Sequence, residues 1–199
     1  MTNRKDSRIS IKLLDDKGKE KYRDQIVSML NCYSDEFVPP LTKRDSTVQK
    51  DFNGPDEGET VERYAESLLS HEVLVATIKG FQEEIVVGLA SFIRNFEVVP
   101  PRRLGGLYVT TILMDKAYRG LGVARRFYDR IFKEADNTGY FTLIRTWTGN
   151  EIHISLLEKI GFREVQRFKN DRGKGVDTII FSRSPEINES NYGQHGILI

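Results

Sequence analysis

Ile112-Leu113-Met114-Asp115-Lys116-Ala117-Tyr118-Arg119-Gly120-Leu121-Gly122-Val123-Ala124 is the stretch that decides how this chain folds. Its first residues end an apolar, strand-like run that begins at Leu107, and Val123 and Ala124 open a helical one. Between the two, Gly120 and Gly122 let the backbone turn tightly and approach a ligand with no Cβ in the way. The helix that follows points its first free N–H groups and its positive dipole end back at the same loop. A phosphate or pyrophosphate is suited to such a place.

Downstream, Val123, Ala124, Phe127, Tyr128, Ile131, Phe132 and Ala135 fall on one helical face, with Arg125, Arg126, Asp129, Arg130 and Lys133 on the other, and Gly139 as a stop. A strand over Phe141–Trp147, a helix over Glu151–Lys159 closed by Gly161, and strands over Arg163–Phe168 and Thr178–Phe181 follow. Upstream, Glu72–Ile78 and Ile85–Phe92 read as an antiparallel hairpin. Before it, Val61, Tyr64, Ala65, Leu68 and Leu69 mark one helix, and Tyr22, Ile26, Met29, Leu30 and Tyr33 mark another that starts at Asp16. Ile9–Leu14 alternates as a first strand, and Ser34–Glu59 reads as a long loop with one short helical turn. The order β-α-α-β-β-β-α-β-α-β-β predicts one α/β domain with a mixed sheet over residues 1–183, followed by a polar tail, 184–199. Ile197-Leu198-Ile199 at its end either fray, add an edge strand or contact a second subunit in a homodimer.

The 199 residues are 39% hydrophobic and 30% charged, ordinary for a soluble globular protein. A net charge of +1 gives no global field to select nucleic acid or an anionic membrane. One cysteine, Cys32, precludes an internal disulfide, and three scattered histidines suggest no metal site. With neither a signal-like apolar core nor a membrane-length apolar run, a cytoplasmic location is the expectation. The Gly-x-x-x-x-Gly-Lys-Ser/Thr phosphate loop is absent, and a dinucleotide fingerprint would need glycine where Arg125 stands.

The Arg119-x-x-Gly122-x-Ala124 spacing resembles the pyrophosphate loop of the GNAT N-acetyltransferases. Ile85-Val86-Val87-Gly88-Leu89-Ala90 is similar to that family's third strand, and Asn150 with Leu156-Leu157-Glu158-Lys159-Ile160-Gly161-Phe162 to its last signature. The likeness is best carried by residues 84–183. It implies a GNAT-like fold: a mixed, mostly antiparallel central sheet flanked by helices. It also implies acetyl-CoA as co-substrate, no metal, and an amine acceptor. Ile112, Leu113 and Met114 inherit the pantetheine contacts. The amides of Leu121, Gly122, Val123 and Ala124, with Gly120 and Arg119, inherit the pyrophosphate, and Asn150 opens the helix beside it. From its place near the helix start, Arg125 adds a charge-assisted contact to the phosphates.

Two departures bear on chemistry. Leu157 stands where the family often has the tyrosine that protonates the departing thiolate, and His153 stands where a small residue is usual. One turn apart on a helix, 153 and 157 share a face. His153 is therefore either a substitute acid or a packed histidine in the stripe 153, 156, 157 and 160. Glu97 and Asp115 flank the central strand as candidate bases, and Thr110 and Thr111 on it could order a water. The acidic residues Asp56, Glu57, Glu59 and Glu62, with Asp35 and Glu36, either attract a cationic amine or serve as solvated loop and helix start. Tyr64, Phe96 and Trp147 are candidate pocket walls. The expected function is transfer of an acetyl group to a primary amine of a small molecule or protein. The alternative is a non-catalytic acyl-CoA-binding sensor or interaction module.

Overall fold

A computed structural model describes residues 9–41, 60–97 and 105–186. Strand β1 (Ser10–Leu13) leads into helix α1 (Asp16–Cys32), whose first turn is capped by Asp15 accepting from the Gly18 amide at 2.7 Å. A 3-10 turn over Ser34–Glu36 is the short helical turn expected in the following loop. Thr60 caps helix α2 (Val61–Ser70) by accepting from the Arg63 amide. Then come β2 (Glu72–Lys79), β3 (Glu84–Glu97), β4 (Gly105–Met114), α3 (Val123–Thr138), β5 (Phe141–Trp147), α4 (Glu151–Lys159), β6 (Arg163–Phe168) and β7 (Thr178–Arg183). This is the order the sequence predicts. Strand β3 runs five residues past the predicted Phe92, through a bulge at Arg94-Asn95 where Asn95 takes φ 54°. Arg94 and Asn95 break the apolar alternation, so the sequence pattern stops short there.

The strands form one seven-stranded sheet in the order β1-β2-β3-β4-β5-β7-β6. Every neighbouring pair is antiparallel except β4–β5, which is parallel. A parallel pair needs a long crossover, and the loop and α3 supply it. Helices α1 and α2 cover one face of the first four strands through Tyr22, Ile26, Leu30, Tyr64 and Leu68, packed on Val73, Val75, Leu89 and Leu113. Helices α3 and α4 cover the other face through Phe127, Tyr128, Ile131 and Leu157, packed on Leu107, Val109, Ile144 and Ile179. Both faces of the central strands are thus buried, which accounts for their near-continuous apolar runs. Among the described residues no helix is long and apolar enough to cross a membrane. Residues 42–59, 98–104 and 187–199, which include Asp56, Glu57, Glu59 and Ile197–Ile199, lie outside the described residues.

Candidate functional site

The site begins where two paired strands part. The β4–β5 ladder runs from Gly106–Phe141 to Val109–Ile144 and ends there, yet β4 continues to Met114 and β5 to Trp147. At the point of parting β4 carries a bulge. Ser91 faces Thr111 while the next residue, Phe92, faces Val109, so Thr110 is the extra residue. A bulge bends and twists its strand, which turns the end of β4 away from β5. The hydroxyls of Ser91 and Thr110 hydrogen-bond each other and fix the bulge against β3. The wedge between the strands is a cavity of about 580 Å³, lined on one bank by Thr110–Met114 and on the other by Ile144–Trp147. That volume suits a small-molecule ligand.

One end of the cavity is built from contiguous backbone. Asp115 follows β4 and spends its carboxylate on capping a 3-10 turn, Lys116–Tyr118, accepting from the Ala117 amide at 2.8 Å. It is not among the residues that line the cavity. Gly120 and Gly122 both sit in the left-handed region, at φ 76° and 75°, and Gly122 directly precedes α3. A Cβ on either would meet nothing within 4 Å, so open space lies in front of both. Helix α3 has no side-chain cap at its start, which leaves its first amides for a ligand. Left-handed glycines, open space and a helix N-terminus together fit the pyrophosphate of acetyl-CoA. Arg119, Gly120, Gly122, Val123, Ala124 and Arg125 line the cavity here, while Leu121 packs against the core beneath.

The Arg119 guanidinium is tied into the protein. Its Nε donates to the Met114 carbonyl at 3.0 Å, its Nη2 meets Glu36 at 2.6 Å, and it lies over the Tyr33 ring. Lys116 reaches the other Glu36 oxygen at 3.1 Å. Burial works against the Glu36 charge, but the hydrogen bonds from Arg119 and Lys116 outweigh it and hold the carboxyl below its ordinary range. Arg119 therefore braces the loop against β4 and the α1 end. Arg125 is exposed and pairs with Asp129 one turn on, at 2.7 Å.

Helix α4 forms the wall beside this end, with Asn150, Ile152, His153 and Leu156 lining the cavity. Asn150 reaches Thr146 on β5, at 3.3 Å, and opens the helix without a side-chain cap bond. The stripe 153, 156, 157, 160 splits in two. Leu157 and Ile160 are buried in the core, whereas His153 and Leu156 stay half-buried at the cavity. His153 Nε2 is 2.8 Å from the hydroxyl of Tyr128, which is fully buried on α3. Burial lowers the His153 pKa to about 4 and raises that of Tyr128 well above its ordinary value. The imidazole is thus neutral at physiological pH.

The other end of the cavity gathers side chains from distant segments. Phe37 and Val38 come from beyond α1, Tyr64 from α2, Tyr108 from β4, Arg145 and Trp147 from β5, and Arg172 from the β6–β7 loop. Phe37 meets Tyr64 edge to face, and the Tyr64 hydroxyl bonds Thr111 Oγ1 at 2.5 Å. Arg172 spans the mouth. Its Nε donates to Thr178 Oγ1 at 2.9 Å, its Nη1 to the Val38 carbonyl, and its guanidinium lies over the Trp147 ring. By strand alternation Leu143, Arg145 and Trp147 share one sheet face, and Ile144 and Thr146 the face under α3 and α4. The cavity therefore passes through the sheet.

Of the expected walls, Tyr64 and Trp147 line the cavity, while Phe96 stacks behind Tyr108 at 4.6 Å between ring centres and does not. The Glu97 backbone ends β3 opposite Gly105, and its side chain lies outside the described set. Tyr108, Arg145 and Arg172 were not singled out by sequence. Arg145 left a signal, a cation inside the apolar strand Phe-Thr-Leu-Ile-Arg-Thr-Trp, and Arg172 left none.

The acetyltransferase (GNAT) family model matches residues 26–162, well over half of the chain. The chain belongs to that family. Among curated proteins none matches it. Solved structures share the fold. A protein assigned as a phosphinothricin N-acetyltransferase is 22% identical, with a TM-score of 0.60 over 89% of this chain and 99% of its own. The assigned acetyltransferase yncA from Salmonella typhimurium, solved with acetyl-CoA, is 19% identical, with a TM-score of 0.56 over 92% and 96%. The ribosomal-protein-S18-alanine N-acetyltransferase from Escherichia coli is 14% identical, with a TM-score of 0.56 over 92% and 97%.

Proposed function

We propose that this chain is an acetyl-CoA-dependent N-acetyltransferase acting on a primary amine. The observation that carries the reading is the parted β4–β5 edge, which ends on two left-handed glycines at an uncapped helix N-terminus. Bound acetyl-CoA supplies an activated acetyl group on sulfur. The amine nitrogen attacks the acetyl carbon, the C–S bond breaks as the C–N bond forms, and the nitrogen gives up a proton.

The protein's part is to hold and orient. The end of β4, Ile112–Met114, has lost its β5 partner and offers backbone groups to an extended amide-bearing arm as a neighbouring strand would. The same edge is suited to hold negative charge on the acetyl oxygen. The amides of Leu121 to Ala124 take the pyrophosphate, Gly120 leaves room for it, Arg125 and Asn150 flank it, and Arg119, at the cavity lining, braces the loop through Met114 and Glu36. Placing amine and thioester side by side supplies much of the rate in such a reaction.

Proton handling follows from what lines the cavity. Glu36 is the one carboxylate among the described lining residues, and it is held by Arg119 and Lys116. Asp115 is occupied as a cap. The proton from the amine therefore leaves through water ordered on Thr110, Thr111 and Tyr64. His153 acts as a neutral, packed imidazole rather than a charged acid. With Leu157 in the core, the thiolate takes its proton from solvent.

The test is incubation with acetyl-CoA and a panel of amines, amino acids and peptides, with products read by mass spectrometry. Acetylated product establishes the reaction. Acetyl-CoA binding with no acetylation across the panel would favour a non-catalytic acyl-CoA-binding module instead.

A further inference from the structure

Resting on the acetyltransferase reading, we infer that Glu36 is a positioning residue, the centre of a strap over residues 33–38 that ties the pyrophosphate loop to the far end of the cavity. Glu36 lines the cavity, and both of its oxygens are occupied: one takes Arg119 Nη2 at 2.6 Å, the other Lys116 Nζ at 3.1 Å. Those two cations flank the 3-10 turn, Lys116–Tyr118, that leads into Gly120 and Gly122. Tyr33 holds the same turn. Its hydroxyl accepts from the Lys116 amide at 3.1 Å, and the Arg119 guanidinium lies over its ring, 5.4 Å from the centroid. One short stretch beyond α1 thus fixes the entry to the glycine loop through both a carboxylate and a ring.

The same stretch reaches the other end. The Glu36 amide bonds the Tyr33 carbonyl at 3.0 Å and the Phe37 amide the Ser34 carbonyl at 3.4 Å, so residues 33–37 form a closed turn. Phe37 then meets Tyr64 edge to face, and the Val38 carbonyl accepts from Arg172, whose guanidinium lies over Trp147. Ion pairs as exposed as those of Glu36 contribute little to the stability of a fold. Their use here is geometric: a loop already held in its binding shape gives up less affinity to ordering when the ligand arrives. Because residues 36, 37 and 38 follow one another, a change in the hold on the loop is passed directly to the wall and mouth of the far end.

The experiment pairs two ligands with one reporter. Affinities for acetyl-CoA and for S-acetylpantetheine, which keeps the thioester and its arm but lacks the pyrophosphate, are measured in the wild type, Glu36→Gln, Arg119→Gln and the double variant. Glu36→Gln should weaken acetyl-CoA about three- to tenfold and leave S-acetylpantetheine within about twofold. Because Glu36 acts through Arg119, the double variant should be about as weak as Arg119→Gln alone. Glu36→Asp, which keeps the charge on a shorter arm, should fall between, and it carries the test if Glu36→Gln does not fold. The reporter is Trp147, the one tryptophan of the chain. Its quenching by acrylamide in the ligand-free protein should rise in Glu36→Gln, as Val38 and Arg172 loosen over it, with a cooperative melt kept. Unchanged or tighter acetyl-CoA binding, or unchanged quenching of Trp147, overturns the inference and leaves the acetyltransferase reading intact. So do equal losses on both ligands or additive losses in the double variant, either of which would make Glu36 structural only. A wild type that binds no acetyl-CoA overturns the acetyltransferase reading and this inference together, whereas binding without acetylation of any amine leaves the strap standing.

Discussion

The two ends of the cavity are built by opposite means. The end that suits acetyl-CoA is one unbroken run, Ile112 to Arg125, and works mainly through backbone. The other end is a meeting of side chains: Phe37, Tyr64, Tyr108, Arg145, Trp147 and Arg172 come from five separate elements or loops. A shared ligand can be held by backbone that any member of a family reproduces. An individual acceptor needs side chains that vary without disturbing the strand or helix that carries them.

The sharpest way to break this contrast is to damage the backbone end alone. Gly120→Val together with Gly122→Val forces two β-branched residues into left-handed backbone at about 1–2 kcal/mol each. Acetyl-CoA binding by calorimetry should weaken by about 30-fold or more, and the melting temperature of the ligand-free protein should fall by roughly 5–15 °C with the cooperative transition kept. Unchanged affinity would sink the assignment of this loop.

A second test concerns the wall between the ends. Burial lowers the His153 pKa from 6.5 to about 4. Between those values the unfolded chain takes up a proton that the folded chain does not, so this group's contribution to stability is lost as pH falls through that window. The stability of the wild type relative to His153→Gln should drop by about 2–3 kcal/mol from pH 7 to pH 4, read from urea midpoints. A gap that does not change with pH would mean that His153 is not held neutral. Turnover at pH 7.5 in the variant, if lost with the fold intact, would restore His153 as the acid.

Smaller effects separate the ends further. Arg172→Ala releases the Val38 carbonyl and the Trp147 face. It should cost about 1–3 kcal/mol of stability, read from urea midpoints, because the Val38 carbonyl and the Thr178 hydroxyl lose their donor, with the KM for acetyl-CoA unmoved. Tyr128→Phe removes the hydroxyl partner of His153 and should cost about 1 kcal/mol of stability with little change in kcat.

The same contrast explains what could be read from the chain. The order of elements and the glycine turn ahead of α3 were legible because periodicity and glycine spacing are local, and residues 112–124 carry both. The bulge at Thr110 and the point where β5 leaves β4 depend on pairing with Ser91 and Ile144, which no short window shows. Asp115 read as a candidate base from its place beside the strand, but two residues on is the amide it caps, a common use of aspartate at a turn. Leu157 and His153 stand out in the sequence together, yet only the packing of α4 on Tyr128 and the core separates a buried leucine from a cavity-facing histidine. Arg172 acquires meaning only when its loop is folded over Val38.

The passage of the cavity through the sheet has a kinetic consequence. If the chain acetylates an amine as proposed, one reactant is seated from the α3 face and the other from the opposite face, so neither has to leave before the other arrives, and no covalent enzyme intermediate is needed. Initial-rate lines at several fixed acceptor concentrations should intersect, the mark of a ternary complex. A single molecule joining an amine to the CoA sulfur through an acetyl bridge would span both faces at once. It should bind far more tightly than either half, because the second contact becomes intramolecular.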